Sequence, residues 1–115
     1  MKSQRRSLVS IVVVVLALLS SSTILRADVT GSITGVVHDR ANAVITGAKV
    51  TVTNVKTNLS QQVASGSDGS YHFLALPAGT YKVSATASGF RVYNATDIVL
   101  QVNDQLSINI TLDVG

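Results

Sequence analysis

The residue types that most often carry metal or acid–base chemistry are scarce in this sequence. It has two histidines and six acidic residues, all of them aspartate. His38 and Asp39 are adjacent and supply at most two ligands, whereas a zinc site takes three or four. Asp68 lacks the alternating series of acidic residues that surrounds a calcium ion. The sequence therefore predicts no metal site, and strand parity places both His38 and His72 on solvent-facing positions.

Residues for nucleophilic catalysis are also poorly represented. Serine is abundant, but no Gly-x-Ser-x-Gly turn presents one as a nucleophile, and a chain without cysteine has no thiol chemistry. Glutamate is absent, and the aspartates are scattered over turns and exposed strand positions, so no carboxylate pair for acid–base catalysis is indicated. We predict no catalytic residue, no cofactor and a function other than that of an enzyme.

Carbohydrate binding is the alternative that the residue types leave open. A sugar-binding platform needs aromatic rings that are exposed for stacking. Tryptophan is absent, and four of the five aromatic residues are assigned to the core, which leaves Tyr93 as the predicted ligand contact. Because one tyrosine makes a small platform, a carbohydrate-binding module with polysaccharide as its partner ranks second.

Residues 1–27 have the pattern of an export leader. Three basic residues come first, residues 8–19 are apolar except for one serine, and a run of small polar residues follows. The apolar run is shorter than the about 20 residues that a membrane-spanning helix needs. We predict a helical signal peptide that is cleaved after Ala27. Cleavage after Ser22 is the second choice, and an uncleaved membrane anchor is the alternative.

Without this leader, residues 28–115 form a single predicted domain with a different charge balance. The leader holds four of the nine basic residues and none of the six acidic ones, so the domain carries five against six, a net charge near −1. That balance gives no reason to expect a nucleic-acid partner. We predict contact with a membrane only through the leader, if it stays uncleaved. The domain also has no disulfide framework, because the chain has no cysteine.

The mature domain is predicted to be all β. Short alternating segments recur every 8–12 residues with turn signals between them, and no helical period follows the leader. Seven strands are predicted, at residues 32–38, 48–54, 59–65, 91–100 and 106–114, with two more inside residues 67–85. The strand at residues 59–65 is polar, so we expect it at the edge of a sheet.

The other strands are arranged around the stretch from Ser67 to Val83. Asp68-Gly69 is typical of a two-residue hairpin turn in which both central residues adopt positive φ. After this turn, Tyr71 and Phe73 alternate with polar neighbours, which indicates a half-buried strand.

A second turn is predicted after that strand. Pro77 fixes φ where this turn begins, and Gly79 is expected to adopt the left-handed conformation before the return strand.

Ten residues of this stretch and of the following corner resemble the carboxypeptidase regulatory-like domain, a transthyretin-like β-sandwich. They are Asp68, Gly69, Tyr71, Phe73, Leu76, Pro77, Gly79, Tyr81, Gly89 and Phe90. The resemblance extends over residues 31–114 and departs at Arg40 and Thr46, where many relatives have proline. It implies a seven-stranded antiparallel Greek-key sandwich with Tyr71, Phe73, Tyr81 and Phe90 in its core.

The resemblance is specific for the fold and less so for the function. The sequence most resembles the N-terminal domain of Oar-like TonB-dependent receptors in the outer membrane of Gram-negative bacteria. That implies an exported, non-catalytic interaction or spacer module in the periplasm, the outer membrane or the cell surface. Its expected partner is another envelope protein or a receptor plug and barrel, and both a truncated receptor and a free-standing domain stay open. An accessory domain of a zinc carboxypeptidase is a further alternative, in which a separate domain holds the zinc ligands.

Overall fold

The computed structural model describes residues 29–115, so the predicted leader lies outside the described residues. Within this range the chain forms eight strands in two packed sheets, which confirms the predicted β-sandwich. The strands are β1 (Thr30–Asp39), β2 (Lys49–Asn54), β3 (Ser60–Ala64), β4 (Ser70–Pro77), β5 (Gly79–Thr86), β6 (Tyr93–Leu100), β7 (Gln105–Ser107) and β8 (Ile110–Leu112). No helix in the described range is long and apolar enough to cross a membrane.

The two sheets differ in the direction of their strands. In one sheet β1 lies between β4 and the successive strands β7 and β8, and the other sheet has the order β3-β2-β5-β6. β1 pairs with β4 antiparallel but with β7 and β8 in parallel. The prediction of a purely antiparallel sandwich is therefore wrong. The predicted edge position of the third strand is confirmed, because β3 is the outermost strand of its sheet.

The predicted strand count is also wrong, because the last predicted strand is interrupted at Ile108 and Asn109. Gly35 of β1 lies so close to this break that a Cβ built on it would stand 1.8 Å from the Ile108 carbonyl oxygen. The Ile108 N–H donates to the Thr34 carbonyl oxygen at 2.8 Å, and the Val36 N–H donates to Asn109 Oδ1 at 3.1 Å. The break stays attached to β1 through these bonds, and the sandwich has eight strands instead of seven.

The core lies between the two sheets and is built from inward residues of both. Tyr71, Phe73 and Tyr81 are buried as predicted, and the rings of Tyr71 and Phe73 meet edge to face with centroids 5.9 Å apart. An arrangement of this kind is favoured by the charge distribution of aromatic rings. Phe90, in contrast, is half-buried and packs against the rim of the core, because it lies at a corner where it pairs with Val114.

The strands β4 and β6 each contain one extra residue. In β4 three steps separate Phe73 from Leu76 where β1 takes two, and the extra residue Ala75 has a φ of 58°. β6 has a matching shift against β5, with Asp97 at a φ of 58°. An extra residue of this kind bends the strand and shifts the faces of the residues that follow it by one position. Leu76 therefore points back into the core, where it is buried.

The turn at Asp68-Gly69 differs from the predicted two-residue hairpin. Of this pair only Gly69 has a positive φ, 75°. The Gly69 N–H donates to the Gly66 carbonyl oxygen, and the Gly66 N–H donates to the Ser70 carbonyl oxygen, each at 2.9 Å, so the loop has three residues. Because β3 and β4 belong to different sheets, this loop carries the chain from one sheet to the other.

The turn after β4 also differs from its prediction, since Gly79 does not adopt a positive φ. A Cβ at Gly79 would lie 3.0 Å from the Asn54 side-chain nitrogen, a tight contact that a small shift of this side chain would have to relieve. The Tyr81 hydroxyl donates to the Pro77 carbonyl oxygen at 2.6 Å and fixes the crossing from β4 to β5. Gly89, at the later corner, has a φ of 84°.

Candidate functional site

A polar cleft lies at the end of the sandwich where β1 and β8 finish. It has a volume of about 540 Å³ and adjoins a second cleft of about 470 Å³. Asp39, Arg40 and Asp113 line both clefts. Tyr93 lines the first of them and Arg91 the second. The structure thus brings the predicted ligand contact, Tyr93, together with charged residues of distant parts of the chain.

A tight turn after β1 builds one wall of this polar cleft. The Asn42 N–H donates to the Asp39 carbonyl oxygen at 3.0 Å, and the Ala43 N–H donates to Asp39 Oδ1 at 2.9 Å. Asn42 completes the turn with a φ of 67°, a conformation that asparagine tolerates better than most residues. The turn holds Arg40 at its tip, opposite the end of β8, because Asp39 is paired with Leu112.

Arg40 and Asp113 form an ion pair across the mouth of the cleft, through the Arg40 Nε and Asp113 Oδ1. The hydrogen bond from Arg40 lowers the pKa of Asp113, and the charge of Arg91 acts in the same direction. The same pair raises the pKa of Arg40. Both side chains are substantially exposed, at 80% and 45%, so water screens the pair and it adds little to stability. Its consequence is a carboxylate beside a guanidinium at the mouth of the cleft.

Tyr93 is half-buried and packs against the core, which makes it less exposed than the sequence suggested. Its position in the cleft leaves one part of the ring to solvent beside His38, Asn42 and Asp113. An aromatic surface next to carboxylate, amide and guanidinium groups suits a polar ligand that has both hydroxyl groups and an apolar face.

The two histidines are not brought together. His38 is half-buried, with Nδ1 3.0 Å from the Asp39 carbonyl oxygen, and His72 is exposed on β4. Among residues 29–115, no three histidine, cysteine, aspartate or glutamate side chains lie close enough to hold a metal ion.

The predicted motif residue Asp68 has a structural contact instead. Its Oδ1 accepts hydrogen bonds from the Ser70 hydroxyl at 2.6 Å and from the Ser70 N–H at 3.0 Å. These two bonds lower the pKa of Asp68. The side chain thereby closes the loop that leads into β4, and it lies apart from the polar cleft.

A third cleft, which is apolar and was not predicted from the sequence, lies between the edges of the two sheets. It has a volume of about 140 Å³ and is lined mainly by Val52, Leu59, Gln61, Leu76, Pro77 and Tyr81. Leu59 is 74% exposed although its strand parity directs it inward. The signal in the sequence was an apolar residue at an inward position on a strand predicted to be an edge.

Comparison with protein families gives one match to this chain. The sequence pattern of the carboxypeptidase regulatory-like domain matches residues 32–113. A search of curated protein sequences found no match.

Several solved structures share the fold at low sequence identity. The dioxygenase domain of a dioxygenase carbohydrate-binding protein fusion from Streptomyces sp. SirexAA-E has a TM-score of 0.60 and 17% identity, covering 81% of this chain and 85% of that one. A putative carbohydrate binding protein from Bacteroides uniformis has a TM-score of 0.59 and 19% identity, covering 72% and 41%. A streptococcal ancillary pilin has a TM-score of 0.59 and 12% identity, covering 76% of this chain and 33% of that one. This chain spans less than half of the last two proteins, and identities this low show the fold alone.

Proposed function

The chain belongs to the carboxypeptidase regulatory-like domain family, and we propose that it acts as a non-catalytic interaction or spacer module of the bacterial cell envelope. The regulatory-like domain is a non-catalytic module, and its β-sandwich recurs in proteins as different as a pilin and a carbohydrate binding protein. We propose the N-terminal extension of a TonB-dependent outer-membrane receptor as its setting. The leader pattern and the motif residues around Tyr71 support this setting.

The observation that carries the proposal is the placement of the two ends of the described chain. β1 begins at Thr30, which is paired with Pro77, and it ends at Asp39, which is paired with Leu112. Because β8 runs parallel to β1, Gly115 lies at the opposite end of the sandwich from Val29. Ten residues of extended strand separate these ends by about 30 Å. A domain that the chain enters at one end and leaves at the other can hold its neighbours apart in line.

Fractionation of the cells that encode the protein tests the export on which this proposal depends. Mass spectrometry of the envelope fraction should detect an N-terminal peptide that begins at Asp28 or close to it. Intact Met1 on a protein recovered from the cytoplasm would contradict the proposal.

Sequencing the DNA downstream of the codon for Gly115 tests the receptor setting separately. A plug and barrel in frame, or one frameshift away, would support the receptor extension. An unrelated gene there would leave a free-standing envelope module and remove the receptor setting.

The polar cleft favours a second candidate, a carbohydrate-binding module. Tyr93 offers an aromatic surface there, next to the Arg40–Asp113 pair, and the putative carbohydrate binding protein from Bacteroides uniformis has a similar fold. Calorimetry against envelope and plant polysaccharides tests this candidate. Binding that Tyr93→Ala abolishes and Lys82→Ala preserves would favour carbohydrate binding over the spacer role. The absence of heat with every polysaccharide would remove it.

A further inference from the structure

Three edges of the sandwich carry features that hinder pairing with another strand. β4 and β6 are bulged at the left-handed residues Ala75 and Asp97, and the β7–β8 edge is interrupted between two strands of three residues each. Bulges, charged side chains and very short strands are the means by which proteins prevent edge-to-edge association. These edges are therefore poor templates for a further strand.

The fourth edge strand, β3, has none of these features. It pairs with β2 in an unbroken register from Ser60 to Ala64, without a bulge. Its sequence, SQQVA, contains no charge and no proline, and four of its five residues are exposed. By the same criteria β3 is open to a partner strand.

Two hydrogen bonds show which backbone groups of β3 are directed to solvent. The Asn54 N–H donates to the Leu59 carbonyl oxygen at 2.8 Å, and the Ser65 N–H donates to the Ala48 carbonyl oxygen at 2.9 Å. Because bonded and non-bonded pairs alternate in an antiparallel ladder, the odd-numbered residues 59 to 65 direct their backbone groups to β2. The residues that direct theirs to the open edge are Ser60, Gln62 and Ala64.

The inner side of β3 also lacks cover. Leu59, Gln61 and Val63 point to the same side as the buried residues of β2, but only Val63 is half-buried. Leu59 and Gln61 instead line the open apolar cleft above Tyr81. An added strand would pair with the free backbone groups and bring side chains against this uncovered surface.

We propose that β3 pairs antiparallel with β3 of a second copy of this chain, about a two-fold axis at Gln61. In this register Leu59 faces Val63 of the second copy, Gln61 faces its own equivalent, and Ser60 faces Gln62. Apolar residues thus meet apolar residues, amides can hydrogen-bond each other, and no like charges meet. An axis at Gln62 would instead place Gln61 opposite Val63, which leaves an amide against an apolar side chain.

The backbone supports the same register and the choice of a second copy as partner. Ser60 and Gln62, whose N–H and C=O groups face the open edge, become hydrogen-bonded partners across the axis. Gln61 takes the non-bonded position there, because its own backbone groups already bond to β2. A two-fold interface needs one surface that complements itself, and this strand meets that condition. The dimer is independent of the spacer role, and its test does not involve any envelope partner.

The experiment is sedimentation analysis of the full chain purified from the envelope of an expressing bacterium. The wild type should form a dimer in the micromolar range. Gln61→Lys places two lysines face to face at the axis, and Gln61→Glu does the same with two carboxylates, so each variant should raise the dimer dissociation constant at least about tenfold. An equimolar mixture of both variants should restore the dimer, because each heterodimer then places a lysine opposite a glutamate at the axis.

Asn94→Lys, on the exposed edge strand β6, is the matched control and should leave the dimer unchanged. Circular dichroism should show that all variants keep the wild-type fold, since Gln61 is exposed. A wild type that stays monomeric at high micromolar concentration would overturn the proposal. So would a dimer that neither Gln61 variant weakens.

Discussion

Gly35 is the residue at which a single methyl group should do the most damage to this fold. A Cβ at this position would lie 1.8 Å from the carbonyl oxygen and 2.6 Å from the carbonyl carbon of Ile108, and 2.9 Å from Cε1 of Tyr71. Side-chain ends can rotate away from such a contact, but the Ile108 carbonyl belongs to the backbone and also accepts the Tyr71 hydroxyl hydrogen bond. Gly35→Ala must therefore push the β7–β8 connection away from β1.

The cost can be estimated from the kind of atoms that clash. Overpacking against side chains costs about 1–3 kcal/mol, and a backbone contact this short places Gly35→Ala at about 3 kcal/mol or more. A small domain has a total stability of about 5–15 kcal/mol, so a large part of it is lost. At about 4–8 °C per kcal/mol for a domain of this size, the melting temperature should fall by about 12–24 °C.

Thermal unfolding followed by circular dichroism measures this shift, with Gly66→Ala as the control. At Gly66 a Cβ would meet Asp68 Oδ1 at 3.4 Å, an ordinary contact, and the backbone there has no positive φ. The control should melt close to the wild type. If Gly35→Ala melted together with Gly66→Ala, the close approach of β1 to Ile108 would be wrong, and with it the explanation for the interrupted last strand.

The buried aromatic residues and the bulge in β4 can each be tested by substitution. Phe73→Ala should lower the free energy of unfolding by about 3–5 kcal/mol, because it empties a buried ring site. Tyr93→Ala, at the half-buried rim of the core, should lower it clearly less, and urea titration of both variants measures the difference. Burial raises the pKa of Tyr71 to about 12, so the folded state keeps a proton that the unfolded state releases near pH 10. The contribution of Tyr71 to stability should be fully present below about pH 10 and be lost as the pH rises towards 12, and Tyr71→Phe, measured by urea unfolding at several alkaline pH values, should flatten that fall. Ala75→Gly should raise the melting temperature or leave it unchanged, because a φ of 58° strains alanine and suits glycine, while Ala75→Val should lower it.

The alternation of single residues was enough to predict the inner faces of the strands. Tyr71 and Phe73 alternate with polar neighbours, and parity alone places them in the core, where both are buried. The same logic failed for Phe90, because a residue at a corner between strands has no parity to follow. The left-handed conformation was expected at Gly79 and occurs at Ala75, since a bulge inside a strand depends on the register of two paired strands, which no local pattern reports.

Long-range pairing explains the other differences between sequence and structure. Nothing in the alternation of residues 106–114 indicates a parallel partner, and their interruption lies where Gly35, a residue far earlier in the chain, lets β1 approach closely. The polar cleft depends on Arg40 and Asp113, which are 73 residues apart and meet only because β8 runs beside β1. Tyr93 was predicted as a ligand contact from its residue type, but the charged groups around it come from this pairing.

The claim that this domain is a non-catalytic module joining envelope components in line is tested most directly by photo-crosslinking in the living cells that encode it. A photoreactive amino acid would replace Arg91, which is exposed near the exit of the chain at Gly115, and in a second strain Val55, which is exposed at the opposite end of the sandwich. Adducts with envelope proteins, identified by mass spectrometry, are expected from both positions, with different partner sites at the two ends. Recovery of the protein in the cytoplasm, without an envelope adduct from either position, would contradict it.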